Sequence, residues 1–149
     1  MKLANYLFIG ILVSLIIGCS GSEKSDSNAK QTAVNANDTM LSKGIGPISS
    51  IKLDPKIDQT MANKGKEIYE LKCTACHKLD EKFIGPPPVG IFERRSPEWI
   101  MNMILNPEEM IAKDPTALKL LAEYNFAPMA NQNLTEEEAR AILEYFRTL

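Results

Sequence analysis

The sequence has few of the residues that build most catalytic, metal and disulfide sites. Its 149 residues include one histidine and three cysteines, too few for a disulfide scaffold or a zinc cluster. The formal net charge is −2, whereas nucleic-acid-binding domains carry a clear basic excess, so no nucleic-acid partner is expected. Any chemistry that needs an imidazole must use His77, because the sequence contains no other histidine.

The longest apolar run lies at the N-terminus. It begins after Lys2 and ends in Ile-Ile-Gly-Cys at Cys19. A basic start followed by a short apolar stretch is typical of a secretory signal, and the run is rather short for a membrane span of about 20 residues. The ending resembles a bacterial lipobox, which implies a signal peptide of residues 1–18 and a lipid on Cys19; an uncleaved anchor helix is the alternative. Both interpretations predict an extracytoplasmic protein tethered to a membrane, and the lipid anchor would place it at the periplasmic face or at the outer membrane.

Residues 19–59 are predicted to form a flexible membrane tether. The segment is rich in serine, asparagine, aspartate, lysine and threonine, and it contains no aromatic residue. Such a composition cannot bury enough apolar area to offset the entropy of ordering the chain. The last part of the tether could dock on the following domain through four aliphatic residues: Ile45, Ile48, Ile51 and Leu53.

Residues 60–149 are predicted to form one all-α domain, because the segment contains helix signals and no convincing strand pattern. In three places a capping residue precedes a proline, which marks a first helical turn. Thr135 and Glu138 form a capping box at the start of a last helix with apolar residues at helical spacing. The expected helices cover residues 61–72 with Thr60 as a possible cap, 97–105 after Ser96, 107–112 after Asn106, 115–124 after Asp114, and 136–149.

The chemistry of the chain centres on Cys73-Thr74-Ala75-Cys76-His77. This C-x-x-C-H pattern is the attachment signature of a c-type haem: two thiols add to the two vinyl groups, and the adjacent histidine becomes the proximal iron ligand. A thioredoxin-like site would need a strand–helix context, and a structural zinc site would need a fourth ligand. The motif therefore predicts one covalent haem c, which would also supply apolar mass to a domain of only about 90 residues.

Around this motif, residues 62–149 resemble the class I cytochrome c family. Gly65-x-x-Ile68-Tyr69 is similar to the family's first helix, whose glycine lets the first and last helices cross; its counterpart would be the region 143–146. The family has a Gly-Pro turn whose proline carbonyl accepts a hydrogen bond from the proximal histidine. Pro86 corresponds best to that proline, and Pro87 is the second candidate. A simple proline-rich loop is the alternative. The resemblance implies a small helical domain wrapped around one covalent haem.

The sixth iron ligand must be a residue other than histidine, because one histidine cannot give bis-histidine ligation within the chain. Met129 lies 52 residues after His77 in a loop before the last helix, where the resemblance places the distal methionine. The family often has Met-Pro, whereas here Pro128 precedes the methionine. An iron with a vacant or water-bound sixth position is the alternative. Three other methionines lie in helical patterns and are expected in the core: Met101, Met103 and Met110.

Three further residues could lie near the haem. Trp99 is the only tryptophan; the resemblance implies an aromatic ring that packs on the haem or bonds a propionate, and a core role is the alternative. Arg94 and Arg95 could neutralise propionates or be solvated.

The resemblance implies an electron carrier rather than an enzyme. Expected partners are redox proteins, namely a quinol-oxidising complex and a terminal oxidase or reductase, with the membrane reached through the lipid anchor. The alternatives are a five-coordinate haem enzyme, a gas or peroxide sensor, and a fixed subunit of a larger oxidoreductase. No paired carboxylates, phosphate loop or Ser/His/Asp set suggests further catalysis.

Overall fold

A computed structural model describes residues 40–149 of the chain. The predicted signal peptide, Cys19 and the first half of the predicted tether lie outside these residues. No strand occurs within the described range, and no helix in it is long and apolar enough to cross a bilayer. The fold is all-α, as predicted, and its helices are α1 (Gln59–Lys72), α2 (Pro97–Leu105), α3 (Pro107–Lys113), α4 (Pro115–Glu123) and α5 (Glu136–Phe146), with a 3₁₀ turn at Ile91–Glu93.

Local capping signals fix most helix starts. Ser96 accepts a hydrogen bond from the N–H of Trp99, and Asp114 accepts one from the N–H of Ala117. At Thr135 both bonds of the predicted capping box are present. These caps satisfy N–H groups that a first helical turn leaves unpaired.

One predicted cap is wrong, and another lacks its side-chain bond. Asp58, not Thr60, caps α1 by accepting a bond from the N–H of Met61, so the helix begins two residues earlier than expected. Asn106 is the N-cap residue of α3, as predicted, but its side chain accepts no bond from the helix; its Nδ2 donates to the Glu109 carboxylate instead.

The first and last helices cross at a glycine, as predicted. Gly65 is buried, and a Cβ atom there would overlap the carbonyl oxygen of Ala141, so only glycine allows this approach. Residues 143–146, which were expected opposite Gly65, lie one turn further along α5. There the Tyr69 ring packs 5.6 Å from that of Tyr145 and 5.7 Å from that of Phe146. This contact fixes the end of α1, from which the C-x-x-C-H motif follows.

The segment before α1 packs against the helical domain. Buried Asn102 of α2 accepts a bond from the N–H of Ile48 and donates to the carbonyl oxygens of Ile48 and Lys43, at 2.8–2.9 Å. The docking predicted for the last part of the tether is thus confirmed, and it involves all four aliphatic residues: Ile45, Ile48, Ile51 and Leu53.

A buried carboxylate joins this segment to α5. Glu144 is 1% exposed, and it accepts bonds from Arg140, Arg147 and the N–H of Asp58 at 2.6–2.9 Å. Burial raises the pKa of the Glu144 carboxyl, but these bonds outweigh burial and hold the pKa below its usual value. The carboxylate therefore stays charged, and it fixes the start of α1 over the last helix.

Candidate haem-binding site

A largely apolar cavity of about 230 Å³ lies within the domain. Its wall comes from the end of α1, the loop of residues 84–88, α2, α4 and the loop before α5. Every residue of the described range that the sequence analysis assigned to the cofactor lines this cavity: Cys73, Cys76, His77, Pro86, Trp99 and Met129.

The end of α1 forms the turn that carries the motif. Cys73 is the C-cap of α1, and its carbonyl accepts bonds from the N–H groups of Cys76 at 3.1 Å and His77 at 2.9 Å. The tight turn brings both thiols and the imidazole to one wall of the cavity. Burial, aided by the nearby Cys76, raises the pKa of the free Cys73 thiol to about 11.

The His77 ring is held in one orientation. Its Nδ1 lies 2.8 Å from the carbonyl oxygen of Pro86, so Nδ1 carries the proton and Nε2 is left as the free lone pair. Of the two prolines considered, Pro86 thus supplies the carbonyl, whereas that of Pro87 accepts from Arg94. A Cβ atom on Gly85 would lie 2.7 Å from His77 Nδ1, so glycine lets this loop approach the ring.

A tyrosine hydroxyl supports the same histidine. Tyr69 donates a hydrogen bond to the His77 carbonyl oxygen at 3.0 Å. Burial, and secondarily the nearby Cys73, raises the pKa of Tyr69 to about 12, so the hydroxyl keeps its proton and remains a donor. The sequence pattern required only an aromatic ring here and gave no sign of this bond.

Among the described residues, two methionines border the cavity. Met129 reaches it from the loop between α4 and α5 and packs against the main core, whereas Met103 reaches it from α2. Met103 is only partly buried, so the prediction that it is ordinary core filler is incomplete. Met101 and Met110 are buried as expected, and the Met110 sulfur accepts a bond from the N–H of Ile45 at 2.9 Å.

Trp99 has parts of both roles predicted for it, contact with the haem and packing in the core. Its ring lines the cavity and belongs to a small buried cluster, but its Nε1–H donates to Asp114 at 3.2 Å rather than into the cavity. Arg95 lies over the same ring, 5.0 Å from its centre, and Arg94 donates to the carbonyl oxygens of Pro87 and Val89. The sequence predicts Asp114 only as a helix cap, because its second bond, to Trp99, joins residues 15 positions apart.

The cavity fits a haem. Two thiols at C-x-x-C spacing, a fixed imidazole and a thioether face one apolar space, and imidazole and thioether are iron ligands of c-type haems. Arg95 also lines the cavity. Its Nε atom is buried and has no hydrogen-bond partner among the described residues. A buried donor of this kind requires a partner, and a haem carboxylate would provide one.

The family model for cytochrome c matches residues 62–149. The chain belongs to the cytochrome c family, and its cofactor is a covalent haem c.

Solved structures similar to the chain are also cytochromes c. The cytochrome c from Rhodothermus marinus is 45% identical, with a TM-score of 0.67 over 69% of this chain and 88% of that one. An engineered form of it, bound to a carbene intermediate, is 45% identical, with a TM-score of 0.64 over the same shares. The cytochrome c domain of a Pseudomonas putida protein is 30% identical, with a TM-score of 0.52 over 56% of this chain and 85% of that one. No curated protein sequence gives a significant match.

Proposed function

We propose that the protein is a membrane-tethered, extracytoplasmic monohaem cytochrome that carries single electrons between respiratory redox partners. Cys73 and Cys76 would hold the haem through thioethers, and His77 and Met129 would bind the iron. The observation that carries this proposal is that His77 and Met129 reach one cavity from two separate segments, one after α1 and one before α5.

Haem supplies a reversible one-electron couple, and a methionine ligand raises its potential by favouring the reduced state. The contribution of the chain is to fix the ligands. The Pro86 carbonyl orients the His77 ring, and Tyr69 holds the backbone of the same residue. If His77 and Met129 both bound the iron, they would leave no open iron site for a substrate, which favours electron transfer over catalysis.

Absorption spectra and carbon monoxide binding test this ligation. The oxidised protein should show the weak red band that marks iron bound to a methionine sulfur. The reduced protein should bind carbon monoxide slowly, because Met129 must leave first. Absence of the band together with rapid carbon monoxide binding would instead favour the five-coordinate enzyme or sensor.

The membrane part of the proposal rests on the N-terminal sequence. A signal-like run ending at Cys19 and a polar segment of about 20 residues precede the described range. A lipid on Cys19 would keep the haem domain at the periplasmic face of a membrane or at the outer membrane. There it could meet a quinol-oxidising complex as electron donor and a terminal oxidase or reductase as acceptor.

Replacing Cys19 with alanine should prevent fatty-acid attachment while leaving the haem in place, because the two functions use different cysteines. Cells grown with labelled palmitate provide the measurement. The matched control is Cys76→Ala, which should still take up the label. Labelling of the Cys19→Ala protein at the parent level would show that the lipobox interpretation is wrong.

A further inference from the structure

One lysine joins two segments that border the cavity and lie far apart in the sequence. Lys82 lies in the loop that follows His77, and its Nζ donates a hydrogen bond to the carbonyl oxygen of Glu123, 2.8 Å away. The same ammonium group lies 4.6 Å from the centre of the Tyr124 ring. Glu123 is the last residue of α4, where carbonyl groups lack intrahelical partners and the helix dipole favours a cation. Lys82 therefore caps α4 from the segment that carries His77.

The chain immediately after this cap is strained and partly exposed. Asn125 and Phe126 have φ angles of 55° and 57°, in the left-handed region that is costly for residues other than glycine. Phe126 is 70% exposed, and Pro128 is also exposed. A partly exposed segment with unfavourable backbone angles opens more easily than the helices around it, and Met129 lies in it.

We propose that Lys82 is a positioning residue that holds the loop of residues 124–131 against the cavity and thereby keeps Met129 in place as the sixth ligand. The inference rests on the proposed function, because it assumes that Met129 binds the iron. Residues 127–130 line the cavity, and the Lys82 bond fixes the end of α4 from which they start. Loss of the bond frees this end, so the strained loop opens more often.

Stopped-flow binding of carbon monoxide to the reduced holoprotein measures this opening, because the gas needs the position that Met129 leaves. Lys82→Gln removes the charge and carries its donor nitrogen on a side chain one bond shorter, which weakens or breaks the bond to the Glu123 carbonyl; the binding rate should rise by about 2- to 10-fold, the shift that loss of one such hydrogen bond gives to an opening equilibrium. Lys82→Arg keeps a cationic donor and should return the rate to within about twofold of the parent. The red band of the oxidised Lys82→Gln protein should also disappear at a lower temperature, before the helical circular dichroism signal is lost.

Lys78→Gln is the matched control. Lys78 lies in the same loop and also contacts an aromatic ring, but that ring belongs to Phe83, 5.1 Å away in the same loop. Its replacement should leave the rate unchanged. The proposal is overturned if the parent shows the red band and Lys82→Gln binds carbon monoxide at the parent rate, or if Lys78→Gln accelerates binding equally. A parent without the band that binds the gas rapidly would overturn the Met129 assignment, and this proposal with it.

Discussion

The double variant Cys73→Ala/Cys76→Ala is expected to lose all covalent haem and most of its folded structure. A domain of about 90 residues has a marginal core, and here a largely apolar cavity of about 230 Å³ lies within it. Without haem this apolar wall is exposed to water, and the fold loses the stabilisation that a ligand bound by the native state provides. A small domain has only about 5–15 kcal/mol of stability to lose. Haem staining of a denaturing gel and far-ultraviolet circular dichroism measure the two effects.

The single variants show how much each sulfur contributes. Cys73→Ala and Cys76→Ala should each prevent the normal attachment through two thioethers. Cys19→Ala controls for the loss of a cysteine elsewhere, and it should stain like the parent. Covalent stain that persists in the double variant would contradict the assignment of the motif.

The helices could be predicted because their signals are local. At Ser96, Asp114 and Thr135 a capping side chain bonds an N–H group three residues ahead, so a few adjacent residues determine the start. The start of α1 was misplaced because both Asp58 and Thr60 can cap a helix. Asp58 is the residue that caps the helix, and its N–H also donates to Glu144. Glu144 lies 86 residues away, so the local sequence gives no sign of this bond.

In the candidate site, too, the residues that are adjacent in sequence could be predicted and the distant contacts could not. The two thiols and His77 are adjacent in sequence, so their grouping at one wall follows from the motif. Asn102 appears in the sequence as one polar residue in an apolar helix, and only the packed structure shows that it binds the segment at Ile48. The direction of a helix face depends on packing, so the sequence did not show that Met103 borders the cavity, as Met129 does.

Met129→Ala is expected to remove the sulfur ligand, to abolish the red absorption band and to leave both thioethers intact. Methionine ligation favours the reduced iron, so the midpoint potential should fall by about 60 mV or more, a tenfold or larger change in the redox equilibrium. Water or an added ligand would then take the place of the sulfur. A redox titration followed by absorption spectroscopy gives both quantities.

The decisive control is Met103→Ala, because Met103 is the other methionine at the cavity. If Met129 is the ligand, this variant keeps the band and a potential near that of the parent, and it loses stability through lost packing. Met101→Ala truncates a side chain that is 2% exposed and should cost about 2–5 kcal/mol of unfolding free energy without changing the ligand. Ligation and packing are thereby separated, because the potential reports the first and chemical unfolding reports the second. If Met129→Ala retains the band and Met103→Ala loses it, the ligand comes from α2, and the loop before α5 does not supply it.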